Sequence, residues 1–147
     1  MKDKENTMSK VAVVYWSGTG NTESMANFVV EGAKEAGADA CTITAVDFKP
    51  EMVADYDAIA FGCSSMGDEV LEETEFEPMF TDCESKLQDK KIALFGSYDW
   101  GDGKWMRDWD ERCKAAGAVL ACDFVICQEA PDDEAAVSCK ALGKALA

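Results

Sequence analysis

Short apolar runs alternate along the chain with stretches whose apolar residues recur every three or four positions. Val11-Ala12-Val13-Val14-Tyr15 is continuous, the pattern of a strand buried on both faces. After a Gly-rich turn, Met25, Phe28, Val29, Gly32, Ala33 and Ala36 share one helical face, and Gly37 is placed to end that helix. Residues 41–46 alternate as a weaker strand, and residues 58–62 form another buried run. Phe76, Met79, Phe80, Cys83 and Leu87 then predict a helix, with Pro78 tolerable only in its first turn. Residues 91–96 make the next strand, and Trp105, Met106, Trp109, Cys113 and Ala116 the next helix, stopped at Gly117. Residues 119–127 are a last strand region with a kink near Asp123. Ala135, Cys139, Leu142 and Leu146 stripe the final helix.

Apolar strands alternating with helices predict an α/β fold, a doubly wound parallel sheet with helices on both faces. No linker, repeat or low-complexity tract divides it, so residues 10–147 read as one domain. Residues 1–9 are polar and read as a flexible N-terminal extension, with Met8 as plausible a start as Met1. At 147 residues and 48% hydrophobic the chain can bury a full core. Its 14 Lys and Arg against 29 Asp and Glu give a net charge of −15, which leaves no basic footprint for nucleic acid. The absence of histidine excludes Ser-His-Asp and Cys-His nucleophiles and His-ligated zinc. Seven cysteines without a CxxC pair fit reduced structural thiols in a cytoplasmic protein. No apolar run approaches membrane-spanning length, and no surplus apolar face argues against a monomer.

Doubly wound sheets bind ligands outside the carboxyl ends of their strands, so the loops after Tyr15, Phe61 and Phe95 carry the candidate chemistry. In the first, Gly18 and Gly20 let the backbone approach an anion, a helix N-terminus points the same way, and Ser17, Thr19, Asn21 and Thr22 add neutral donors. A Walker loop needs a Lys that is missing here, and the third Gly of a dinucleotide fingerprint is replaced by Glu23. A single terminal phosphate fits such a cradle better than a triphosphate. The second loop is Gly62-Cys63-Ser64-Ser65-Met66-Gly67-Asp68-Glu69. Cys63 is not a phosphatase nucleophile, because Glu69 stands where that chemistry requires an Arg. A receiver domain fails too, because the first and third strands do not end in Asp. The third loop, Ser97-Tyr98-Asp99-Trp100-Gly101-Asp102-Gly103, holds aromatics that no apolar stripe claims, so Trp100 is expected to stack on a ligand. Trp105 and Trp109, four apart on a helix, read as core. A monophosphate cradle beside an apolar slot between Met66 and Trp100 suits a flat heteroaromatic ring, and FMN has that shape.

These three loops, in this order and at these separations, resemble the FMN loops of the short-chain flavodoxins of anaerobic bacteria, over nearly the whole chain. The resemblance implies a five-stranded parallel sheet in the order 2-1-3-4-5 and a low-potential one-electron carrier, not an enzyme, that passes through a neutral semiquinone to an anionic hydroquinone. It implies that Ser17, Gly18, Thr19, Gly20, Asn21 and Thr22 hold the phosphate with Ser64, and that Ser65, Met66, Gly67, Asp68, Glu69, Ser97, Tyr98, Asp99, Trp100, Gly101 and Asp102 surround the ring. Met66 and Trp100 would sandwich it, Glu69 would accept from N3–H, and the Met66–Gly67 peptide would turn over on reduction. Asp99 stands where relatives usually have Gly; if positive φ is needed there, strain would weaken the FMN complex. Eight acids and no base lie between residues 68 and 84. At an effective dielectric near 20, a carboxylate ~12 Å from the ring opposes a negative charge on it by roughly 1.4 kcal/mol, about 60 mV for one electron. The same charge predicts redox partners with basic docking surfaces. The alternative is an FMN-dependent flavin or quinone reductase on the same fold, which would need a substrate surface that no loop here supplies.

Overall fold

The computed structural model describes residues 8–147, so most of the extension expected over 1–9 lies outside the described residues. Within them, strands β1 (Lys10–Trp16), β2 (Asp39–Thr44), β3 (Ala58–Cys63), β4 (Lys91–Tyr98), β5 (Val119–Leu120) and β6 (Val125–Gln128) alternate with helices α1 (Asn21–Glu35), α2 (Phe76–Glu84), α3 (Lys104–Ala115) and α4 (Asp133–Leu146). All strand pairings are parallel. The order is β2-β1-β3-β4-β5, and β6 pairs with β4 beyond β5. The expected kink near Asp123 is a full break: β5 and β6 are two halves of a fifth strand, separated by residues 121–124.

Strand periodicity divides the core between the two faces. Ala12 and Val14 of β1 pack with Ile59, Phe61, Phe76, Phe80, Trp105 and Trp109 on the α2–α3 side. Val11 and Val13 pack with Met25, Val29, Phe95, Cys139 and Leu142 on the α1–α4 side. Trp105 and Trp109 are each 2% exposed, as their helical spacing predicts. Helices α1 and α4 touch backbone to backbone: a Cβ on Gly32 would lie 2.1 Å from the Lys140 carbonyl oxygen, and one on Gly143 2.0 Å from that of Val29.

Two boundaries differ from the pattern. The second strand spans 39–44, not 41–46, because residues 45–47 turn into a single 3-10 turn and Thr44 Oγ1 donates to Asp47 Oδ2 at 3.0 Å. Only Ala40 of β2 is fully buried, as befits an edge strand, so its alternation marks its limits poorly. Helix α2 ends at Glu84, and Leu87 reaches the core from the turn beyond it. All seven cysteines are free thiols. Burial pushes the Cys83 thiol up to about 11 and those of Cys113 and Cys139 up to about 12, which leaves them protonated and unreactive. No helix among the described residues is long and apolar enough to cross a membrane.

Candidate functional site

The carboxyl ends of β1, β3 and β4 release the three loops side by side. In the first, the Ser17 hydroxyl accepts from the Gly20 amide at 3.0 Å, which closes the turn and leaves its own proton to donate. Gly20 caps α1 without a side chain, and the amides of Thr19, Asn21 and Thr22 have no acceptor among the described residues. Free amides at the positive end of a helix dipole suit an anion. The Thr22 hydroxyl is different. Thr22 is fully buried, with Oγ1 2.8 Å from Ser64 Oγ and accepting from the Ser97 amide at 3.2 Å. One hydroxyl therefore ties the three loops together, and the Thr22 amide remains without an acceptor among the described residues.

The second loop is a miniature hairpin. Met66 N–H donates to the Val70 carbonyl and Val70 N–H to the Met66 carbonyl, each at 2.9 Å. At its tip Gly67 and Glu69 both adopt left-handed backbone, with φ of 51° and 57°. The Gly67 carbonyl has no hydrogen-bond partner among the described residues. Beneath the hairpin, burial drives the Cys63 thiol far above its ordinary value, so it is inert, as its sequence context indicated.

Ser97 anchors the third loop. Its carbonyl accepts from Ser65 N–H at 3.0 Å, and its hydroxyl donates to the Glu129 carbonyl at 2.6 Å. Trp105 rises from α3 to donate its indole N–H to the Cys63 carbonyl at 3.1 Å, and supports the Tyr98 ring at a centroid distance of 5.5 Å. Trp100 is 59% exposed, so it does not fold over its own loop, and Met66 and Val70 are exposed beside the second loop. Asp99 is not among the residues with positive φ, so the strain expected there is absent. The left-handed non-glycine residues at the site are Glu69, in the second loop, and Glu129, which holds the third. The Asp102 side chain turns away to Arg107, whose guanidinium holds its carboxyl below the usual value.

One cleft gathers Gly18, Thr19, Asn21, Ser64, Ser65, Met66, Ser97, Tyr98 and Asp99, together with Trp16. Ser17, Gly20, Thr22, Gly67, Asp68, Glu69, Trp100, Gly101 and Asp102 do not line it. Hydroxyls and amides mark one part, a thioether and aromatics another, and no Lys or Arg enters, which fits a flat ring carrying a single phosphate. Sequence reasoning missed three contributors. Trp16 lines the cleft with its indole N–H on Glu75, at 3.1 Å. Gln128 donates to the Asp99 carbonyl at 3.1 Å, and Glu129 N–H to that of Tyr98 at 2.8 Å. Trp16 is the last residue of β1 and was detectable; the other two lie about thirty residues from the loop they hold.

The acidic segment is less free than its sequence implies. Glu72, 6% exposed, binds the backbone at the start of α2, and Arg112 reaches over from α3 to Glu77 at 2.7 Å and Glu84 at 3.0 Å. The base missing from residues 68–84 comes from another helix.

A doubly wound sheet with its cleft at these three strand ends defines the flavodoxin-like fold. The flavodoxin family profile matches residues 13–141. The chain is 50% identical to a flavodoxin of Clostridium beijerinckii over 92% of its length and 97% of the relative's. It is 47% identical to the flavodoxin of Megasphaera elsdenii over 93% and 98%. The solution structure of that flavodoxin in its two-electron reduced state superposes with a TM-score of 0.86, covering 92% and 97% of the two chains. The chain belongs to the flavodoxin family, flavin-bearing electron-transfer proteins and not enzymes. The reductase alternative is not favoured, because these relatives match end to end under that one name.

Proposed function

We propose that the chain binds FMN non-covalently in this cleft and carries electrons singly, as a monomer, between cytoplasmic redox proteins with basic docking surfaces. The observation that carries this is the cleft: free α1 amides with the Thr19 and Ser64 hydroxyls for one phosphate, and Met66 and Tyr98 for a ring, with Ser17 and the exposed Trp100 on the same loops beside it. Bound FMN supplies the electron-accepting ring. The chain positions it, shields it and sets its charge environment. Asn21 and Ser64 orient the phosphate, Met66 and Trp100 flank the ring, and Glu69 accepts from its N3–H. Asp68, Glu73 and Glu75 remain as acids without an Arg partner near the second loop and disfavour added negative charge. They also attract basic partners, so exchange rates fall as salt rises.

The hairpin's hydrogen bonds favour one peptide over another as the one that turns on reduction. Rotating Met66–Gly67 breaks the bond from Val70 N–H to the Met66 carbonyl, whereas the Gly67 carbonyl is uncommitted. On this proposal the turning unit is Gly67–Asp68 and not Met66–Gly67. Gly67 has nothing within 4 Å of its Cβ position, so Gly67→Ala introduces a backbone penalty of about 1–2 kcal/mol without a clash. Its expected result is a weaker long-wavelength band in the half-reduced protein, measured by anaerobic titration; an unchanged band removes the peptide from this role.

The test of the function is reconstitution with FMN and with riboflavin, followed by stepwise anaerobic reduction. FMN binds at least about 100-fold more tightly, since each charge-assisted phosphate contact is worth roughly 1.5–3 kcal/mol. A long-wavelength band rises and falls before full bleaching. Equal affinity for the two flavins defeats the phosphate assignment, and bleaching in one stage defeats the single-electron carrier.

A further inference from the structure

Glu69 belongs to the second loop, yet its carboxylate serves the third. Oε1 accepts from the Asp102 amide at 3.2 Å and from the Lys104 amide at 3.0 Å. Those amides lie at the start of α3, whose N-cap residue, Gly103, has no side chain to satisfy them. The cap thus comes from a residue more than thirty positions earlier, where the helix dipole favours its negative charge. Gly101 leaves room for it: a Cβ there would stand 2.5 Å from the Glu69 carboxyl carbon. Glu69 reaches across in a left-handed conformation, φ 57°, that non-glycine residues rarely hold without compensation.

We infer that Glu69 is a latch that makes the second and third loops close as one unit, so that the two sides of the ring slot are set together before a ligand arrives. It is a positioning residue for the third loop, in addition to the ring contact proposed above, and the functional half of the inference rests on that reading. The lysine nearest the latch does not compete for the carboxylate, because Lys104 Nζ is paired with Asp108 at 2.7 Å. A carboxylate has two acceptor oxygens, so one can hold the α3 amides while the other remains for the ring. Glutamine has one.

The two roles separate in the full-length chain, measured by amide hydrogen exchange first without flavin and then by riboflavin binding. Glu69→Ala speeds exchange at Asp102 and Lys104 roughly 10- to 100-fold, the loss of one charge-assisted hydrogen bond, while amides of the last α3 turn keep their protection. Gly101→Ala does the same with the acid still present, because it displaces the carboxylate. Glu69→Gln keeps the amide protection through its single oxygen and loses riboflavin affinity. Wild-type exchange at both amides in Glu69→Ala overturns the latch whatever the flavin does. Lost protection with unchanged riboflavin affinity leaves the latch standing and removes the ring contact instead.

Discussion

Gly96→Ala lowers the stability of the fold by about 3 kcal/mol and weakens flavin binding with it. A Cβ at that position would stand 2.2 Å from the Cys63 carbonyl oxygen and 3.1 Å from Cζ2 of Trp105. The first neighbour is backbone, at the residue where β3 gives way to the second loop, so it can retreat only by moving the strand end. Overpacking of this kind costs about 1–3 kcal/mol, occasionally more. Here a second loss accompanies it, because the same carbonyl accepts the indole N–H of Trp105 at 3.1 Å, and a displaced acceptor leaves a buried donor without a partner. For a chain of this length a change of about 3 kcal/mol lowers the midpoint of thermal unfolding by roughly 10 °C. Thermal and urea unfolding, with and without flavin, check it. Wild-type stability in Gly96→Ala would show that β3 and β4 separate freely at this point, contrary to their packing.

That junction also shows what a sequence can and cannot disclose. The strands announced themselves because residues such as Val11–Val14 and Ala58–Phe61 are buried on both faces and form unbroken apolar runs. A kink in the fifth strand was visible for the same reason, since Asp123 interrupts an apolar stretch, but not that it amounts to a full break. The candidate loops were legible because Gly-rich turns, clustered hydroxyls and loop aromatics are local signals. The bonds that fix those loops are not local. Thr22 links residues 42 and 75 positions away, Trp105 returns to Cys63, and Gln128 to Asp99. Thr22 therefore read only as a phosphate donor, and nothing local disclosed that its hydroxyl also joins Ser64 to the Ser97 amide. Asp99 read as a strained position because relatives usually have Gly there, whereas the left-handed non-glycine residues are Glu69 and Glu129.

The same limit applies to charge. A count of carboxylates between residues 68 and 84 treats them as equivalent, yet Glu77 and Glu84 share the Arg112 guanidinium, which also stacks 4.9 Å from the Phe80 ring. Burial opposes ionisation of Glu77, but the hydrogen bonds from Arg112 and Thr81 outweigh it and hold its carboxyl below the ordinary value. These acids join α2 to α3 more than they project a field. Asp68, Glu69 and Glu73, which have no Arg partner, lie closer to the second loop, beside the exposed Met66 and Val70.

Glu72 should prove the acid on which this region's stability depends most. One carboxylate oxygen accepts from the amides of Glu75 and Phe76, each at 2.8 Å; the other accepts from the Thr74 amide at 2.9 Å and from the Thr74 hydroxyl. Glu75, the N-cap residue of α2, supplies no side-chain cap, so Glu72 satisfies the helix start alone. Burial works against its charge, but these donors prevail and hold its carboxyl below the ordinary value of 4.5. Glutamine retains one acceptor oxygen and turns an NH2 group toward donors, so Glu72→Gln loses about 3 kcal/mol at neutral pH. Because the folded carboxyl ionises more readily than the unfolded one, its contribution is complete above pH 4.5 and fades as pH falls through the lower folded value. The stability gap between wild type and Glu72→Gln, from urea unfolding at several pH values, should therefore be constant above that point and narrow below it. A gap that stays the same through the acid range would mean that the ionised carboxylate does not hold the helix.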